Sequence, residues 1–200
     1  MNLPNKLSLA RVAMIPLMVV LMLPNTALCN YLAAAVFALA AFTDFLDGHI
    51  ARSRHIVTDF GKFIDPVADK LLTLSALIML VQCGLMPAWV VVVILARELS
   101  VDGLRMVAAT KGRVIAAGKL GKVKTVSQIV LILWLMVTRQ PVVTSLMFDA
   151  ASQVVVVAES PASSGPYLVS SLLTLWTIVI TLWSGVEYFT KNGGMLKEMK

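Results

Sequence analysis

The chain of 200 residues is 58% hydrophobic and only 14% charged, with a formal net charge of +6 and a mean hydropathy of +0.86. Soluble domains carry about 25% charged residues, so a water-soluble globule and a disordered chain are excluded, and 2 Cys are too few for a disulfide scaffold. What remains is an integral membrane protein, in which the basic excess reports orientation rather than nucleic-acid binding.

A bilayer core about 30 Å thick needs roughly 20 apolar helical residues. Six stretches meet that requirement, at 7–24, 29–49, 62–84, 86–108, 121–139 and 167–189. The first has no small-residue cleavage site and runs on into further spans, so it reads as a retained helix rather than a signal peptide. Pro24-Asn25, the basic segment after Asp47, Gly84 to Pro87, the Lys111–Lys119 loop and Pro161 to Pro166 separate the spans. Pro141 breaks residues 140–166 from the fifth span, and the apolar pieces there are too short to cross, so an external loop is expected. The reading is one all-α membrane domain over residues 1–200, with six transmembrane helices.

With six spans, both termini share a side with the loops after spans two and four. That side holds Lys6, Arg11, Arg52, Arg54, Lys62, Arg105, Lys111, Arg113, Lys119, Lys122, Lys124, Lys191, Lys197 and Lys200, against Arg139 on the other. Basic loops stay inside, so both termini are expected in the cytoplasm. Cys29 and Cys83 fall at the outer ends of spans, either as small apolar residues or as an oxidised pair.

Four aspartates interrupt the apolar pattern. Asp44 and Asp47 end the second span, while Asp65 and Asp69 open the third. Spacings of three and four place each pair on one helix face, and two antiparallel spans with a short connection can bring the pairs together. One Asp at a helix centre costs about 2.5–3.5 kcal/mol in a bilayer, so four are retained where they face a polar cavity and bind a cation. Arg52 and Lys70 could offset part of their charge, and two divalent ions all of it. All-oxygen donors favour Mg²⁺, Mn²⁺ or Ca²⁺ over Zn²⁺, and a two-ion clamp suits displacement at phosphorus. Gly48, Ala51 and Gly61 permit close helix packing or close approach of a ligand to the backbone. Pro66 is expected to kink its helix unless it lies in the first turn.

From Asp44 to Asp69 the chain reads D-x2-D-G-x2-A-R-x8-G-x3-D-x3-D. This pattern resembles the signature of the CDP-alcohol phosphatidyltransferases. The resemblance implies a six-helix membrane enzyme, commonly a homodimer, that joins a CDP-linked lipid to an alcohol and releases CMP. It implies that Asp44, Asp47, Asp65 and Asp69 surround two divalent metal ions, Mg²⁺ or Mn²⁺, and that Asp69 is the general base. Thr43, Gly48, Ala51, Arg52 and Gly61 match positions near the CDP moiety, where the forked guanidinium of Arg52 suits a pyrophosphate.

Outside the signature, Arg97, Arg105, Lys119, Lys122 and Lys124 cluster toward the expected cytoplasmic side. Arg97 lies inside an apolar span, where an arginine is functional by default, although an ion pair with Glu98 or another span's acid is the alternative. Fixed cations point to a phosphorylated acceptor rather than serine or choline. Residues 2–11 and 97–125, with Gly185 to Phe189, further resemble one bacterial branch of the family, in which CDP-diacylglycerol and glycerol 3-phosphate give phosphatidylglycerophosphate at the inner membrane. That likeness makes Arg97, Arg105, Lys122 and Lys124 candidates for the acceptor phosphate. A sister transferase with another acceptor such as inositol phosphate, a divalent-cation transporter and a structural membrane protein are the competing readings.

Overall fold

A computed structural model describes residues 3–54, 59–110, 118–139 and 165–197, with side chains for 9–43, 67–68, 70–110, 118–139 and 165–192. Those residues form six helices and no strand: α1 (Leu3–Met22), α2 (Ala27–Arg54), α3 (Asp59–Gln82), α4 (Ala88–Thr110), α5 (Lys119–Thr138) and α6 (Gly165–Lys197). Each expected span coincides with one helix. The helices outrun the apolar stretches because backbone hydrogen bonding does not stop where hydropathy does: α2 continues through its basic end to Arg54, and α6 to Lys197. Pro66 lies past the first turn of α3. The external loop expected at 140–166 falls outside the described residues as far as 164. Its last two residues instead open α6, where Pro166 suits a first turn that needs no amide donor.

α5 passes as a membrane-crossing helix by length and composition, and so does Gly165–Asn192 of α6; Leu9–Met22, Ala27–Thr43 and Lys70–Gln82 are shorter apolar helices. The burial pattern of α6 is consistent with a helix in lipid. Its buried face carries Ser170, Thr174, Thr177, Thr181 and Ser184 beside Ile180 and Tyr188, while Leu172, Leu175, Trp183 and Val186 are exposed. Water would demand the reverse arrangement, whereas small polar residues let helices approach closely in a bilayer. Their burial costs little because most of the hydroxyls donate within the helix, as from Ser170 to the Pro166 carbonyl (2.9 Å) and from Thr174 to that of Ser170 (2.8 Å).

The chain divides into two units, Met1–Met86 with Ile132–Pro141, and Pro87–Leu131 with Val142–Lys200. In the first, α1 packs on both α2 and α3, which also touch each other. Its turns are chemically specified. Asn25 adopts φ 49° after α1, and Thr26 caps α2 by accepting from the Cys29 amide at 3.4 Å. α3 ends with Gly84 at φ 72°, donating to Val81 O while Leu85 donates to Leu80 O. That paired closure needs a left-handed residue, which glycine supplies without strain. Arg139 ties the end of α5 to the α1–α2 turn through the carbonyl of Asn25 (2.5 Å) and its Oδ1 (3.2 Å). Cys29 and Cys83 are both free thiols, so the oxidised pair is not formed.

In the second unit α4 packs on α6, and Trp176 Nε1 of α6 donates to Ser127 Oγ of α5 at 3.0 Å.

Candidate functional site

In the first unit, α2 carries Asp44 and Asp47 and α3 carries Asp65 and Asp69. All four are helical, so each pair occupies one helix face, and the two helices that bear them are in contact. Their side chains, with those of Gly48, Ala51, Arg52 and Gly61, lie outside the described residues. Among the described residues, no three His, Cys, Asp or Glu gather as metal ligands would. An all-oxygen set on adjacent helices has the donor chemistry of a Mg²⁺ or Mn²⁺ site. Thr43, one residue before Asp44, donates its hydroxyl proton to Leu39 O at 2.6 Å, leaving its oxygen as an acceptor. Arg11 on α1 is only 1% exposed. From the sequence Arg11 marks sidedness and closes the 2–11 segment; in the structure it is a buried cation in the unit that holds the aspartates.

The second unit contains a cavity of about 170 Å³ lined by Arg97 and Arg105 of α4, Gly118 and Gly121 around the start of α5, and Ser184, Glu187, Tyr188, Lys191 and Asn192 of α6. Arg105 is held by an aromatic residue: its Nε donates to Tyr188 Oη at 3.3 Å, and its guanidinium carbon lies 5.4 Å from that ring's centroid. Tyr188 is itself buried with Val101 and Leu104, and Phe189 packs edge-on against it.

Arg97 is placed by the absence of side chains. A Cβ at Gly185 would lie 3.2 Å from Arg97 Cγ, and one at Gly121 would lie 3.8 Å from Nη2. Gly185 therefore eases the close passage of the arginine, while a side chain at Gly121 would meet it only at ordinary contact distance. Among the described residues, Arg97 Nε is buried without a hydrogen-bond partner, an expensive condition for a charged group unless a ligand answers it.

Of the four basic residues expected to form an anion pocket, the structure gathers Arg97 and Arg105. Lys122 is exposed on α5, and neither it nor Lys124 lines the cavity. Lys124 is 1% exposed and donates to Glu98 and Gln128. The acid beside Arg97 is thus engaged from α5.

Sequence reasoning missed the contribution of α6. Ser184, Glu187, Tyr188 and Lys191 recur at the spacing of one helix face, and Glu187 pairs with Lys191. That periodicity was legible at the end of the last apolar run. Chemically, two arginines, a hydroxyl and an amide around one cavity, with the Glu187 carboxylate offset by Lys191, can bind a compact anion through charge-assisted hydrogen bonds.

The family described as CDP-alcohol phosphatidyltransferase matches residues 1–183. The chain is 41% identical, over 98% of its length and 97% of the relative's, to the CDP-diacylglycerol–glycerol-3-phosphate 3-phosphatidyltransferase of Bacillus subtilis (strain 168). It is 43% identical to the protein of the same name from Rickettsia typhi, over 64% of this chain and 71% of that one. A probable phosphatidylglycerophosphate synthase of Mycobacterium tuberculosis (strain ATCC 25618 / H37Rv) is also 43% identical, over 66% and 64% of the two chains.

Proposed function

This chain belongs to the CDP-alcohol phosphatidyltransferase family, and from that premise we propose that it transfers the phosphatidyl group of CDP-diacylglycerol to glycerol 3-phosphate, giving phosphatidylglycerophosphate and CMP. The structural observation that carries the choice of acceptor is the pair Arg97 and Arg105 in one cavity, a site suited to a phosphate monoester. Serine and choline lack a phosphate for such a pair to hold.

In this reading Arg97 and Arg105 bind the acceptor phosphate, and Tyr188 keeps the Arg105 fork in place. Arg52 holds the pyrophosphate of the CDP-lipid, while Thr43, Gly48, Ala51 and Gly61 accommodate the nucleotide. Asp69 takes the proton from the acceptor's primary hydroxyl. The freed oxygen attacks the lipid-side phosphorus, and the bond from that phosphorus to the bridging oxygen breaks, so CMP departs with the electron pair. Two Mg²⁺ or Mn²⁺ ions held by Asp44, Asp47, Asp65 and Asp69 would neutralise the pyrophosphate and the leaving group. Fixing the acceptor by its phosphate restricts its hydroxyl to few orientations, which lowers the entropic part of the barrier.

An acceptor panel tests the assignment. With CDP-diacylglycerol and Mg²⁺, CMP release is expected on addition of glycerol 3-phosphate and not of serine, choline or glycerol. Release with inositol phosphate instead would make the chain a sister transferase, and metal uptake with no CMP release under any acceptor would make it a transporter.

The six helices are further proposed to be six spans, with both termini and the active site on the cytoplasmic side. Cysteines introduced at positions 112 and 163, in a background lacking Cys29 and Cys83, should be labelled from opposite faces of sealed vesicles, with position 112 inside because its flanks are basic. Labelling of both from one face would contradict the topology.

A further inference from the structure

Glu98 follows Arg97 on α4 and acts electrostatically on that arginine from outside the cavity, whereas the carboxylate that lines the cavity, Glu187, is paired with Lys191. A free carboxylate at Glu98 would compete with any incoming anion for the guanidinium. The structure shows what occupies it. Lys124, buried on α5, donates to the Glu98 carboxylate and to Gln128, and its own seclusion requires such pairing. Arg97 takes a separate path, past Gly185 and Gly121 into the cavity.

We propose that Lys124 is a positioning residue for the acceptor site: by clasping Glu98 from α5, it offsets the charge of the carboxylate next to Arg97 and leaves the arginine's charge for the acceptor phosphate. The proposal rests on the cavity being the acceptor site, and it gives Lys124 an indirect role in place of the direct phosphate contact expected from the sequence. Gln128 is a second partner of Lys124, but the effect on the acceptor runs through Glu98, so removal of Lys124 should weaken acceptor binding chiefly while Glu98 remains charged.

The test is a two-residue cycle with each substrate varied separately. Lys124→Met should raise the apparent KM for glycerol 3-phosphate by about 10- to 150-fold, the range for losing one charge-assisted hydrogen bond, with little change in kcat or in KM for CDP-diacylglycerol. Adding Glu98→Gln should return the acceptor KM to within about threefold of the parent value, well inside that range. A double variant as impaired as Lys124→Met alone overturns the proposal, because a direct phosphate contact cannot be rescued by neutralising Glu98. If Lys124→Met does not fold, Lys124→Gln with and without Glu98→Gln makes the same comparison. Arg105→Ala separates the two layers of inference. Impairment of Arg105→Ala without rescue in the cycle rejects the clasp and keeps the cavity. Loss and rescue in the cycle with Arg105→Ala silent keeps the clasp and rejects the cavity as the acceptor site.

Discussion

Asp69→Asn is expected to lower turnover by about 10²- to 10⁴-fold, the usual contribution of a positioned general base, while CDP-diacylglycerol still binds. The substituted amide keeps the shape of the carboxylate and can offer one oxygen to a metal ion, but it cannot take a proton at neutral pH. Asp44→Asn and Asp47→Asn should differ in kind. Each removes charge from the metal-binding set without removing the base, so excess Mg²⁺ or Mn²⁺ should recover part of their activity and none of that of Asp69→Asn. Metal titrations of the three variants at fixed substrate make the comparison. Near-full turnover in Asp69→Asn would remove the base assignment, and equal rescue of all three would reduce Asp69 to a ligand.

The second large effect is on the acceptor side. Arg105→Ala removes a guanidinium that Tyr188 holds through a 3.3 Å hydrogen bond and its ring face. Loss of charge-assisted bonds worth about 1.5–3 kcal/mol should raise the apparent KM for glycerol 3-phosphate by about 10- to 150-fold. The KM for CDP-diacylglycerol should stay near its parent value, because the pyrophosphate is assigned to Arg52 and the aspartate cluster. Arg105→Lys should recover only part of the loss, since a single ammonium cannot reproduce a planar fork stacked on tyrosine. Steady-state kinetics with one substrate varied at a time reads both constants. Equal losses for the two substrates would place Arg105 outside acceptor binding.

The helices were legible in the sequence because each is encoded locally. Apolar length marked six segments, and Gly84 and Pro24-Asn25 marked turns whose closure depends on those residues' own backbone preferences. The ends were less legible, since hydropathy fades where helical hydrogen bonding persists, as in the basic end of α2. Arg97 and Arg105 could be named as a pair from their spacing on one helix. The fate of Lys124 could not, because its partner Glu98 comes from another helix and one-dimensional spacing says nothing of which side chains meet across α4 and α5. The same blindness hid Gly185, which matters for the arginine that passes beside it. The α6 face was different in kind. Ser184, Glu187, Tyr188 and Lys191 repeat at helical spacing, but the preceding apolar run drew attention to span length rather than to the polar stripe that follows it.

The central claim is that a phosphatidyl group moves intact from CMP to glycerol 3-phosphate, and the fate of the two phosphorus atoms tests it most directly. CDP-diacylglycerol labelled at the lipid-side phosphorus should be mixed with unlabelled glycerol 3-phosphate, Mg²⁺ and the purified protein in lipid vesicles. The account predicts that all released label appears in phosphatidylglycerophosphate, with one unlabelled CMP formed for each labelled lipid. Label in CMP, or labelled phosphatidic acid formed at the same rate with and without glycerol 3-phosphate, would contradict it.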